Sequence, residues 1–103
     1  MVRRLKLHEE FKEILGNNNV YFQPPASIKM SYPCVKYSRD PGADRHNANN
    51  KLYMSTDRYE TIVIDRNPST DIPDKILHHF SMCTLDRTYS ADNLNHYVFT
   101  IYY

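Results

Sequence analysis

The 103-residue sequence is poor in the residues that most often announce chemistry. It has two glycines, Gly16 and Gly42, so neither common glycine-rich phosphate loop can form. It has two cysteines, Cys34 and Cys83, far apart and at no metal-ligand spacing. With no secretion signal, both are expected to be reduced core thiols. No apolar run exceeds three residues, which excludes a transmembrane helix. The opening residues 1–10 (MVRRLKLHEE) are basic but lack the apolar stretch of a secretory signal. An excess of one charge is missing too: 13 Lys and Arg face 12 Asp and Glu, a net +1. That balance argues against a dedicated nucleic-acid binder, though not against a local basic patch.

What remains is enough for a core. Apolar residues make up 41% of the chain and aromatics 13%, too many for a disordered segment, and the length fits one domain spanning residues 1–103. There is no tryptophan, and tyrosine supplies nine of the thirteen aromatics. A tyrosine buries its ring and keeps a polar tip at water, so it suits half-buried strands and subunit interfaces alike.

The pattern predicts an order of helix, three strands, helix, two strands. Leu7, Phe11, Ile14 and Leu15 recur at the spacing of one helical face over residues 3–15, and Gly16 with three asparagines stops that helix. Val20-Tyr21-Phe22 is a short strand ended by Pro24-Pro25, and residues 34–38 open a second strand. A third is expected over 51–65, strongest from Tyr59 to Ile64. Ser69, Thr70 or Asp71 can cap the next helix, with Pro73 in its first turn and Ile72, Ile76, Leu77 and Phe80 as its apolar stripe. Residues 82–89 and 97–103 read as the last strands, joined by a turn over 90–95. The fold class is therefore a single α+β domain with two helices and a mixed or antiparallel sheet of four to five strands (α-β-β-β-α-β-β).

In the last strand Tyr97, Phe99, Ile101 and Tyr103 share one face and Val98, Thr100 and Tyr102 the other. Both faces are largely apolar, and so are those of the third strand, so both sides of the sheet need cover. Either the two helices split across the faces or a partner covers one of them. A charge placed at Tyr102 is accordingly expected to disrupt packing or assembly.

No constellation of catalytic or metal-binding residues emerges. None of the five histidines, His8, His46, His78, His79 and His96, stands four residues from another, and neighbours on a helix such as His78 and His79 point about 100° apart. The segment Asp92-Asn93-Leu94-Asn95-His96 reads as a hairpin turn rather than an acid–base cluster. The long polar stretch over residues 39–50 (RDPGADRHNANN) is the best candidate contact surface. Its Arg39, Asp40, Asp44, Arg45 and His46 mix both signs of charge, which fits a protein partner better than a polyanion. A small nucleic-acid binder would instead use Tyr21, Tyr32 or Tyr37 as stacking platforms.

Three segments together are distinctive: YFQPP leading through MSYPCVKY, then YETIVIDRNPSTDI, then DNLNH with VFTIYY. In their order they resemble small head–tail joining proteins of long-tailed bacteriophages, most of all the tail-terminator (tail-completion) family, along nearly the whole chain. The resemblance implies a mixed sheet flanked by helices and a homo-oligomeric ring, six-membered, seated on the tail tube within the virion and assembled in the host cytoplasm. Such a ring ends tube polymerisation, docks to the head connector, and lets genomic DNA pass through its lumen without specific binding. It implies no enzyme activity and no cofactor, and the histidine spacing and short apolar runs lead to the expectation of no metal and no membrane partner. The chain is shorter than many members of that group, so a head-closure ring of the neck is the alternative, with a small protein-interaction module beside it.

Overall fold

The apolar spacing of the first thirteen described residues forms α1 (Arg3–Leu15), with Leu7 and Phe11 fully buried along its inner face. Gly16 ends it in the left-handed region (φ +76°), its N–H closing on the Lys12 carbonyl at 2.8 Å. The computed structural model describes residues 3–40 and 57–103. After α1 come β1 (Val20–Phe22), β2 (Cys34–Arg39), β3 (Arg58–Asp65), α2 (Ile72–His79), β4 (Cys83–Ala91) and β5 (Leu94–Tyr102). The expected α+β order is what the structure shows.

The five strands form one mixed sheet in the order β1-β2-β3-β5-β4. Only the β1–β2 pair is parallel; the others are antiparallel. Gln23 carries the β1 pairing one step further: its N–H meets the Tyr37 carbonyl at 2.8 Å and its side-chain oxygen accepts from the Arg39 N–H at 3.2 Å. The two prolines that follow then stop the strand.

Both helices lie on the same face of the sheet. Leu7 and Phe11 of α1 and Ile72, Ile76 and the adjoining Phe80 of α2 share one core with Val35, Tyr37, Tyr59, Val63, Phe99 and Ile101. Phe11 is its hub, with ring centroids 5.2 Å from Tyr37 and 5.5 Å from Phe80. The possibility that the helices divide between the faces is thereby excluded. The opposite face, which carries Lys36, Ile62, Val98 and His96, has no helix over it among the described residues.

Several boundaries differ from expectation. β3 begins at Arg58 rather than residue 51, and residues 51–56 lie outside the described residues. The last two strands are longer and their turn shorter: Asp92 (φ 54°) and Asn93 (φ 63°) alone make the connection. Both central residues in the left-handed region is the signature of the two-residue hairpin turn whose twist matches paired strands. It releases Ser90, Ala91, Leu94 and Asn95 into the ladder. At α2, Asp71 occupies the N-cap position without a side-chain cap bond, and the Thr70 hydroxyl accepts from the Ile72 N–H at 3.3 Å instead.

β4 is unlike the other strands. It forms a sheet edge, and every residue after Cys83 is exposed, Leu85 and Tyr89 among them at 41% and 42%. A β-bulge between Leu85 and Arg87 interrupts its pairing with β5.

Candidate functional site

The sheet end where β5 stops gathers most of the polar chemistry. Two ion pairs meet there: Arg58 Nη2 lies 2.6 Å from Asp40 Oδ2, and Arg39 Nη1 lies 3.6 Å from Asp57 Oδ2. Backbone bonds close the same corner, with the Asp40 N–H on the Arg58 carbonyl at 2.9 Å and Asp57 and Tyr103 exchanging bonds of 3.1 and 3.0 Å. The hydrogen bond to Asp40, and then that to Tyr102, raise the Arg58 pKa and hold its charge fixed. Of the residues singled out from sequence, Asp40 and Tyr102 are thus brought to Arg58, and Arg39 pairs with Asp57 at the same corner. Asp44, Arg45 and His46 lie outside the described residues.

Tyr102 sits on the helix-free face, half-buried and paired across the ladder with Arg58. The face is apolar at Ile64 and Val98, but charged at this corner. An acidic side chain at position 102 meets a guanidinium, because the ladder register places Arg58 directly opposite.

On the helical side of the same corner lies a cleft of about 240 Å³, lined by Arg3, Glu10, His79, Ser81 and Tyr103 among others. Glu10 is its centre. One carboxylate oxygen is 2.6 Å from His79 Nε2, and the other accepts from the Tyr103 hydroxyl. Burial works to raise the Glu10 pKa, but the bonds from Tyr103 and His79 outweigh it and hold the carboxyl below its ordinary range. Burial and the same bond push Tyr103 up to about 12, so it stays a donor. The Arg3 guanidinium lies 5.2 Å from the Tyr103 ring centroid. Glu10 therefore ties α1 to α2 and to the residue that follows β5. With both oxygens occupied, it serves as a clasp. No spacing in the sequence signals this group, whose members are 69 and 93 residues apart.

A second buried polar group lies under α1. The Tyr37 hydroxyl is 2.8 Å from His8 Nδ1 and 3.5 Å from Arg4 Nη1. Burial raises the Tyr37 pKa and lowers that of His8, with Lys12 and Arg4 adding to the latter. Tyr37 is 1% exposed, which removes it as a stacking platform; Tyr21 and Tyr32 are half-buried.

Both cysteines are free thiols, Cys34 buried and Cys83 half-buried, and burial pushes them up to about 12 and about 11. Among the described residues no three His, Cys, Asp or Glu side chains converge in a way that could hold a metal ion. No described helix is long and apolar enough to cross a membrane. Compared with models of known families, with curated proteins and with solved structures, the chain matches none.

Proposed function

We propose that this chain is a non-enzymatic structural protein of a bacteriophage virion, forming a ring at the head–tail junction. The ring caps the tail tube, ends its polymerisation and docks the tail to the head connector. The observation that carries the reading is the resemblance in YFQPP, MSYPCVKY, YETIVIDRNPSTDI and VFTIYY, which runs along nearly the whole chain in the order of the family's elements.

Two physical features support it. The β4 edge exposes eight consecutive residues and a free row of backbone donors and acceptors, a surface suited to a neighbouring subunit. A head-to-tail contact that closes by rotation makes a ring rather than a filament. The net charge of +1 suits a lumen through which duplex DNA slides, since each added phosphate contact would slow its passage.

Electron microscopy of phage lysates lacking this protein tests the role. Tails of unregulated length, unattached to heads, are the expected result. Tails of normal length beside heads that leak their DNA would assign the chain to head closure instead, and wild-type particles would end the proposal.

A further inference from the structure

The outer edge of β4 is open, and its pattern is complementary to itself. Every residue from Thr84 to Ala91 is exposed, and no described strand pairs beyond it. The Met82 carbonyl accepts from the Tyr102 N–H at 2.9 Å, so backbone alternation turns Thr84 toward β5 and Cys83 and Leu85 outward. At the other end the two-residue hairpin closes on Ala91 and Leu94, which turns Tyr89 and Arg87 inward and Thr88 and Ser90 outward. The residues with outward N–H and C=O groups are therefore Cys83, Leu85, Thr88 and Ser90. The bulge between Leu85 and Arg87 widens the middle gap from two residues to three.

That spacing selects the occupant. A regular strand presents its outward groups at every second residue, so it meets only half of this edge in register. The sheet's other edge, β1, is a strand of only 3 residues. A second copy of β4, run antiparallel about a two-fold axis between Asp86 and Arg87, has the same wide gap in the same place. Leu85 then faces Thr88 of the second copy, Cys83 faces its Ser90, and each such pair exchanges both backbone bonds. A bulge that blunts the edge against other strands admits this one.

The side chains agree on the same register. Asp86 accepts from the Thr84 and Thr100 hydroxyls at 3.0 and 2.5 Å, which places its carboxylate on the helix-free face. Arg87 lies on that face opposite Val98 and pairs with no carboxylate among the described residues. Across the two-fold axis, Asp86 of each copy stands against Arg87 of the other, so opposite charges meet twice. A slip of two residues in either direction sets Arg87 against Thr84 or Thr88 and loses the backbone match as well. The contact also shields the exposed apolar side chains of this edge, Met82, Leu85 and Tyr89.

We propose that two copies of this chain pair through β4, antiparallel across a two-fold axis at Asp86 and Arg87, and so join their sheets into one. The pairing occupies the edge offered to a ring neighbour, so the dimer is the form of the chain outside the ring. It does not rest on the virion reading.

Overnight copper-phenanthroline oxidation of the full chain carrying Ser90→Cys tests the register. Hydrogen-bonded antiparallel partners lie about 5.5 Å apart at Cα, within reach of a disulfide. A two-chain band on non-reducing gels is expected, with peptide mass spectrometry joining position 90 to Cys83. Ser69→Cys, in the exposed turn before α2, should stay unlinked. Sedimentation velocity over a dilution series of the wild-type chain should show a two-chain species. Arg87→Glu should raise its dissociation constant at least about ten-fold, and Asp86→Arg combined with Arg87→Glu should restore it, with circular dichroism showing each variant folded. Three results would overturn the pairing: no link or a link between two copies of position 90, an unchanged dissociation constant in Arg87→Glu, or larger assemblies that dilute straight to single chains. Two-chain species without annular particles would count against the ring alone, and annular particles without two-chain species against the pairing alone.

Discussion

Replacing Glu10 with Gln tests whether the corner of the fold is held by a charged clasp. The substitution keeps the shape but removes the charge and one of two acceptor oxygens, so His79 Nε2 or the Tyr103 hydroxyl loses its partner. The Glu10 side chain is 22% exposed and that of His79 37%, so the lost bond is partly compensated by water. A bond to a fully shielded charge is worth about 1.5–3 kcal/mol and an ordinary one about 0.5–1.5, which places this loss near about 1 kcal/mol. For a domain of this size that corresponds to a drop of about 4–8 °C in Tm. The sign of the pH dependence follows from the lowered Glu10 pKa. The stabilisation is complete above the ordinary carboxyl value of 4.5 and disappears as pH falls through the lower folded value. Differential scanning calorimetry of both proteins from pH 7 down to the acid limit of folding should show the gap in Tm closing only below pH 4.5. Equal melting temperatures at pH 7, or a gap that is unchanged in acid, would refute the clasp.

Other consequences concern the core and the thiols. Phe11→Ala removes the ring shared by Tyr37 and Phe80 at a fully buried position, and urea denaturation should show a loss of about 3–5 kcal/mol. Thr61 is fully buried and its hydroxyl has no hydrogen-bond partner among the described residues; Thr61→Val should raise stability by about 1 kcal/mol in the same assay. Cys34 and Cys83, held near 12 and 11, should react with a disulfide reagent at pH 8 at least about a hundred-fold more slowly when folded than in urea.

Local periodicity made α1, β1 and α2 legible in the sequence, because each is defined by residues a few positions apart. Leu7 and Phe11 were identifiable from spacing, and Gly16 from its conformational freedom. The faces of β5 were legible too, since alternation alone separates Phe99 and Ile101 from Val98 and Thr100. The turn between β4 and β5 was misjudged in length: Ser90 and Asn95 resemble turn residues in composition, yet cross-strand pairing absorbs both once Asp92 and Asn93 take positive φ. Alternation says that β5 has two faces but not which element covers each, so the placement of both helices on one side became visible only in three dimensions.

The candidate site divides in the same way. Arg39 and Asp40 drew notice as the start of a charged loop, and the structure joins them to Asp57, Arg58 and Tyr102 through antiparallel pairing. The Glu10–His79–Tyr103 group and the His8–Tyr37 contact could not be read from the chain. Their members meet only through helix docking or through strand order, and neither leaves a local signature.

The most direct test of the central claim is the mass and shape of the purified protein, by multi-angle light scattering with negative-stain microscopy of the same fractions. Annular particles with an open centre and six times the 12.2 kDa mass of one chain are the expected result. A species of single-chain mass at every concentration, with no annular particles, would contradict it.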